Sequence, residues 1–240
     1  MLTRRHFVIT SAALFSAPVA QAQIADEPAV TPPAEEPVAA EQPVRAPRSN
    51  PANWDRWDRQ ITPANYDPAT TNPWGFHRRF LPQRVEANDG LAPGSVHVDA
   101  VARYLYHIRE DGSAMRYGVA IARGNLYEPG TYTIGRKAKW PTWRPTEAMI
   151  RRDPQYAKYE NGMDAGPRNP LGSRAFYLYR GNRDTYLRIH GSPHPKSIGG
   201  RASSGCVRMV MAHINDLYPY VEKGATAVLY PPEDIVSARS

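Results

Sequence analysis

The chain has one cysteine in 240 residues, Cys206, so no internal disulfide can form. Neither C-x-x-C nor H-E-x-x-H occurs, which removes the commonest sequence signatures of zinc. His190, His194, Cys206 and Asp216 are zinc-ligand types, but a proline-containing loop separates the two histidines where a helical turn would be needed, and neither metal nor cofactor is expected. The longest N-terminal apolar stretch, Val8 to Ala17, falls short of the roughly 20 residues that span a bilayer. Basic residues outnumber acidic ones, 30 to 23, yet form no block and no recognition motif, so nucleic acid is not an expected partner.

What is present begins with an export signal. Arg4-Arg5 followed by the apolar stretch and Ala20-Gln21-Ala22 reads as a twin-arginine signal peptide over residues 1–22, cleaved near Gln23. The expected address is the periplasm, with no transmembrane anchor in the mature form. Residues 23–53 follow as a Pro/Ala/Glu-rich disordered tether. Between Ile24 and Asn53 lie seven prolines and five acids, without an aromatic residue, too little apolar surface to fold. Residues 54–92 form an aromatic-containing lead-in with Trp54, Trp57, Tyr66, Trp74 and Phe76, and Asp55 to Arg59 suggest a short amphipathic turn. The net charge of +7 combines an acidic tether with a more basic remainder, which suits an anionic partner.

Residues 93–232 read as one β-rich domain, with a C-terminal tail over 233–240. Val96 to Val98, Arg103 to Ile108 and Met115 to Ile121 alternate or are β-branched and aromatic, with a turn at Glu110 to Ser113. Arg174 to Tyr179 and Thr185 to Ile189 form a second hairpin across Gly181 to Asp184, leading straight into His190. Ile214, Leu217, Tyr218 and Val221 recur at helical spacing until Pro219 interferes, and His213 lies within that helix. Ala225 to Tyr230 closes as a strand. Lys137 to Arg168 is a long insertion with Trp140, Trp143 and a helix candidate over Thr146 to Arg152, read as a lid or wall over a cleft.

The chemistry gathers around the thiol. A cysteine is a nucleophile only as thiolate and is mostly protonated at neutral pH unless assisted. His190 and His194 precede Cys206 by 16 and 12 residues, and either can act as base if the intervening chain folds back. Pro193, Pro195, Gly199 and Gly200 make that chain a loop. Ser203-Ser204-Gly205 suits a tight turn whose N–H groups can hold an oxyanion. A papain-like arrangement places its cysteine before its histidine, the reverse of this order.

His190-Gly191-Ser192 followed by Ser203, Gly205, Cys206, Val207 and Arg208 resembles the signature of the L,D-transpeptidases, the YkuD domain: H-G-T/S, a loop, then S-H-G-C-h-R. Tyr117-Gly118-Val119, Pro129-Gly130-Thr131-Tyr132, Ile134-Gly135 and Asn169-Pro170-Leu171-Gly172 extend the likeness upstream. Ser204 stands where the family usually has histidine. The resemblance implies a mainly β fold, a single L,D-transpeptidase-like β-sandwich or barrel domain with a long lid insertion and one or two short helices. It implies a cysteine-dependent peptidoglycan acyltransferase with Cys206 as nucleophile and His190 as base. Ser204, Gly205, Gly191 and Ser192 would serve the oxyanion or orient the base, while Arg208, Ser203 and His194 would contact substrate. The partners implied are peptidoglycan stem peptides and an amine acceptor, either a second stem peptide or an outer-membrane protein. Two alternatives share the site: an L,D-carboxypeptidase using water, and a wall-binding protein catalytically impaired by Ser204.

Overall fold

The computed structural model describes residues 45–232. The expected signal peptide, the tether up to residue 44 and the tail at 233–240 lie outside the described residues. Eleven strands occur among the described residues: β1 (Gln83–Glu86), β2 (Val96–Asp99), β3 (Tyr104–Ile108), β4 (Ser113–Gly118), β5 (Ile121–Ala122), β6 (Gly130–Lys139), β7 (Arg174–Arg180), β8 (Arg183–Ser192), β9 (Arg201–Ser203), β10 (Val207–Val210) and β11 (Thr226–Leu229). Three short helices accompany them: α1 (Trp54–Ile61), α2 (Glu147–Arg152) and α3 (Met211–Leu217). The fold is mainly β with few short helices, as the sequence implies. None of these helices is long and apolar enough to cross a membrane.

Nine strands form one mixed sheet in the order β1-β4-β3-β2-β11-β6-β7-β8-β10, and β5 and β9 pair separately in parallel. Local chemistry explains the hairpins. Between β3 and β4 the Asp111 carboxylate accepts from the Ser113 N–H, and Gly112 takes a φ of +76°. Between β7 and β8 the turn is shorter than the four residues expected. Arg180 pairs with Arg183, so only Gly181 and Asn182 turn, with Gly181 at φ +59° in the first central position.

The main core is built from alternate strand residues, including Val96, Val98, Leu105, Ile134, Phe176, Leu178, Ile189, Val207 and Met209. Ile214 and Leu217 of α3 close it from one side. The helix stops at Leu217, two residues before Pro219. A second cluster seats the lead-in on the domain: Phe76, Phe80 and Leu81 are buried with Ala120, Ile198, Val210 and Ala212.

Residues 45–53, read from composition as the end of the tether, are instead fastened to the domain. The Arg48 N–H and the Arg45 guanidinium donate to Asp164, and the Ala165 N–H donates to the Arg48 carbonyl. The Ser49 hydroxyl donates to the Trp140 carbonyl at 2.6 Å. Composition missed this because the partners lie about a hundred residues away. Asp55 to Arg59, read as a turn, belongs to the full helix α1. Its Trp57 meets Trp140 edge to face at 5.1 Å, and its Asp58 accepts from the Trp140 indole at 3.1 Å. Trp140 is therefore a buried anchor at the base of the insertion. Trp143 packs between Tyr156 and Tyr159, and the pairing of Trp143 with Met163 closes the insertion on itself. Within it, the Thr146 hydroxyl caps α2 by accepting from the Met149 N–H.

Candidate active site

The site forms where β10 lies parallel to β8, with Val207 opposite Ile189 and Arg208 opposite His190. Strand side chains alternate between faces. Ile189 and Val207 enter the core, while Arg188, His190, Cys206 and Arg208 line one cleft of about 580 Å³. The insertion supplies Trp143, Arg144, Arg152 and Tyr156 to the same cleft.

His190 is 4% exposed, and its Nδ1 lies 2.6 Å from the Gly191 carbonyl oxygen. A carbonyl can only accept, so Nδ1 carries the proton and the lone pair is on Nε2. Burial drives the His190 pKa down to about 4, further lowered by the Arg208 and Arg188 charges and opposed by the Gly191 carbonyl. The imidazole is thus neutral at neutral pH. Burial pushes the Cys206 thiol up, against the Arg188 N–H and the charges of Arg188 and Arg208. At neutral pH the imidazole and the thiol therefore each rest uncharged.

The carbonyl that holds His190 is fixed from behind. Gly172 has φ +60°, and a Cβ there would sit 2.7 Å from the Gly191 carbonyl carbon. A Cβ on Gly191 would meet Met211 at 3.0 Å. At Gly172 backbone packs against backbone, which only glycine permits, whereas Gly191 is hemmed in by the Met211 and Ile214 side chains.

The turn before the thiol differs in detail from the expectation. Gly205 has φ +141°, a conformation L side chains avoid. Its N–H donates to the Ser203 hydroxyl at 3.4 Å, and that hydroxyl donates to the Cys206 carbonyl. Ser203 is 2% exposed and bound up in holding the turn. Among the described residues, the N–H groups of Ser204 and Cys206 have no backbone acceptor, which leaves them open towards the cleft. The Ser192 hydroxyl accepts from the His194 N–H at 3.2 Å and shapes the loop beyond the imidazole. His194 is exposed at the cleft rim. Arg208 lines the cleft, and among the described residues no carboxylate pairs with it. Asp216 lies elsewhere, accepting from the Tyr117 hydroxyl at 2.7 Å. No group of three His, Cys, Asp or Glu suited to a metal occurs among the described residues.

Tyr186 and Arg188 are among the cleft residues that the sequence reading did not single out. The β7–β8 ladder slips between Tyr177 and Tyr179, and in that irregularity Tyr186 adopts φ +62°. Its side chain is thrown outward, 69% exposed, and its carbonyl lies 3.9 Å from the Cys206 sulfur. Bulges beside active sites commonly re-aim side chains in this way. Arg188 stacks over Tyr177 at 4.0 Å and is held by Asp184 at 2.6 and 2.9 Å. Neither a positive φ at tyrosine nor a bulge has a sequence signature; the Asp184–Arg188 spacing was the one visible hint.

Comparison with known proteins identifies the family of the domain. The family model for the YkuD L,D-transpeptidase catalytic domain matches residues 93–229, more than half of the chain. The probable L,D-transpeptidase ErfK/SrfK of Escherichia coli (strain K12) is 30% identical over 150 residues, covering 60% of this chain and 46% of that protein. The probable L,D-transpeptidase YbiS of the same organism is 29% identical over 153 residues, with the same coverage. The chain thus spans about half the length of these curated relatives. A crystal structure from Brucella melitensis, described as a probable carnitine operon oxidoreductase, is 48% identical and covers 60% of this chain and 89% of that one, with a TM-score of 0.44. An L,D-transpeptidase structure from Mycobacterium smegmatis is 15% identical, covers 57% and 58%, and has a TM-score of 0.43.

Proposed function

The chain belongs to the family of L,D-transpeptidase catalytic domains, and on that premise we propose that it is a periplasmic, cysteine-dependent acyltransferase acting on peptidoglycan stem peptides. The observation that carries this reading is the tautomer of His190. With Nδ1 committed to the Gly191 carbonyl, the basic Nε2 is left for the thiol of Cys206 in the shared cleft.

Both groups rest neutral, so the proton moves as the bond forms. Nε2 takes the thiol proton while sulfur attacks the carbonyl that follows the L-centre of the stem's third residue. The oxyanion is received by the N–H groups of Ser204 and Cys206, each donor lowering the barrier by about 3 kcal/mol in comparable sites. The imidazolium then returns its proton to the departing terminal D-amino acid, leaving a thioester on Cys206. An amine acceptor attacks that thioester, His190 takes the amine proton, and the new amide leaves with the thiol restored. The acceptor is another stem peptide's diaminopimelate or an amine on an outer-membrane protein. The twin-arginine pattern supports export to that compartment.

The test is to incubate the purified protein with a stem tetrapeptide, with and without candidate amines, and to read both protein and products by mass. A peptidyl adduct on Cys206 and an amine-dependent amide product are expected. A product that forms only with water reassigns the activity to L,D-carboxypeptidase, and no adduct with any donor overturns the reading.

A further inference from the structure

The cleft is more cationic than acyl transfer requires. Arg144 and Arg152 line it from the insertion, Arg188 from β8 and Arg208 from β10, while Glu128 is the only carboxylate among the lining residues. Arg188 is already neutralised by the forked contact with Asp184. Arg144, Arg152 and Arg208 are not: among the described residues, no carboxylate lies within ion-pairing distance of any of them. Arg151, next to Arg152 on α2, points the contrast. It pairs with Glu147 at 3.6 Å and does not line the cleft.

Three uncompensated guanidiniums around one concavity raise its positive potential and disfavour one another, which a bound anion relieves. Their placement is also uneven. Arg208 stands opposite His190 and two residues past Cys206, beside the reacting atoms. Arg144 and Arg152 belong to the insertion, near Trp143 and Tyr156.

We propose that the cleft selects acidic peptide donors with at least two free carboxylates, one read by Arg208 beside the thiol and another by Arg144 and Arg152 of the insertion. The same peptide with its side carboxylates converted to carboxamides is disfavoured. A carboxylate accepts from a guanidinium fork with both oxygens and brings the countercharge. A carboxamide brings no charge and turns an NH₂ donor towards groups that only donate. The insertion is therefore a specificity element for the donor, and this inference rests on the acyl-transfer reading above.

The experiment compares acyl-enzyme formation by the whole protein from a tetrapeptide donor with free side carboxylates and from the same peptide with those carboxylates amidated. The wild type is expected to favour the free acid in kcat/KM by about tenfold or more, as charge-assisted hydrogen bonds allow. In the double variant Arg144→Gln/Arg152→Gln the ratio falls towards one, mainly through a higher KM for the acidic donor. Arg151→Gln, outside the cleft, retains the wild-type ratio. Equal rates from both donors in the wild type, or an unchanged ratio in the double variant, overturn the selectivity while leaving the acyltransferase standing. Failure of both donors to acylate Cys206 overturns the acyltransferase reading and this inference with it.

Discussion

Asp58 and Arg174, 116 positions apart in the chain, form a forked ion pair at 2.7 and 3.0 Å. The same carboxylate also accepts from the Trp140 indole and the Asn215 amide, both at 3.1 Å. One side chain of α1 thereby ties together the first residue of β7, the base of the insertion and α3. The Arg174 side chain is 9% exposed and that of Asp58 is 29% exposed. Asp58→Ala should cost about 2–3 kcal/mol in a urea melt, below the full buried-pair value because Asp58 is partly solvated. A loss under about 0.5 kcal/mol would show that water replaces the carboxylate without penalty.

Cys206→Ala should abolish turnover and covalent labelling by a carbapenem, while circular dichroism and melting temperature stay those of the parent. Labelling that persists in this variant refutes the thioester mechanism.

His190→Ala should reduce acylation by about 10²- to 10⁴-fold, the usual contribution of a positioned base. His194→Ala, at the exposed rim, should cost far less. The reverse ranking in a single-turnover assay would reassign the base.

Ser204 tests the oxyanion donors. Because its contribution is placed in the backbone N–H, Ser204→Ala and Ser204→His should keep acylation within roughly tenfold, about 1.4 kcal/mol of barrier. Ser204→Pro removes the donor and should lose a few kcal/mol of barrier, about what one oxyanion donor supplies. Melting curves separate that loss from misfolding. If Ser204→Ala alone eliminates acylation, the hydroxyl itself acts in the chemistry.

Acid should find two weak points. His213 is fully buried among Tyr66, Trp74, Phe76 and Tyr117, both ring nitrogens lack partners among the described residues, and burial lowers its pKa to about 3. His190 falls to about 4 for the same principal reason. In the unfolded chain both titrate near their ordinary value of about 6.5 and bind protons that the folded state refuses. Stability is thus complete above about pH 6.5 and declines as pH falls towards 4 and then 3, by a few kcal/mol for each group. His213→Phe should flatten this decline in chemical melts taken across that range. An identical acid limb in the variant would locate the proton uptake elsewhere. Above that range, alkylation of Cys206 should follow a thiol titrating higher than an ordinary cysteine. An inflection at or below pH 7 would reveal a thiolate–imidazolium pair.

The legible parts of the molecule were local in sequence. Gly112, Gly181 and the strand alternation mark the hairpins, Thr146 marks the start of α2, and the run from His190 to Arg208 holds the proposed nucleophile and base within 19 residues. Long-range relations were not legible. Nothing about Asp58 in an Asp-Arg-Trp-Asp-Arg stretch announces a contact with Arg174, and the proline-rich composition before Asn53 concealed the contacts of Arg48 and Ser49. Within the motif, the hydrogen bond from Gly205 to Ser203 depends on the φ of one glycine, which a sequence permits without specifying.

Orientation of His190 by the Gly191 carbonyl has a genetic consequence. A histidine steered by a carboxylate can be disabled by one codon change at the acid. A peptide carbonyl is present whatever residue occupies the position, so no substitution deletes the acceptor for Nδ1. Vulnerability passes to Gly172, where any side chain would push into the Gly191 carbonyl, and to Gly191, where it would press on the Met211 and Ile214 side chains. Inactivating mutations of the proposed base's support should therefore be found as gains of volume at glycines, a class that a search for lost acidic residues would overlook.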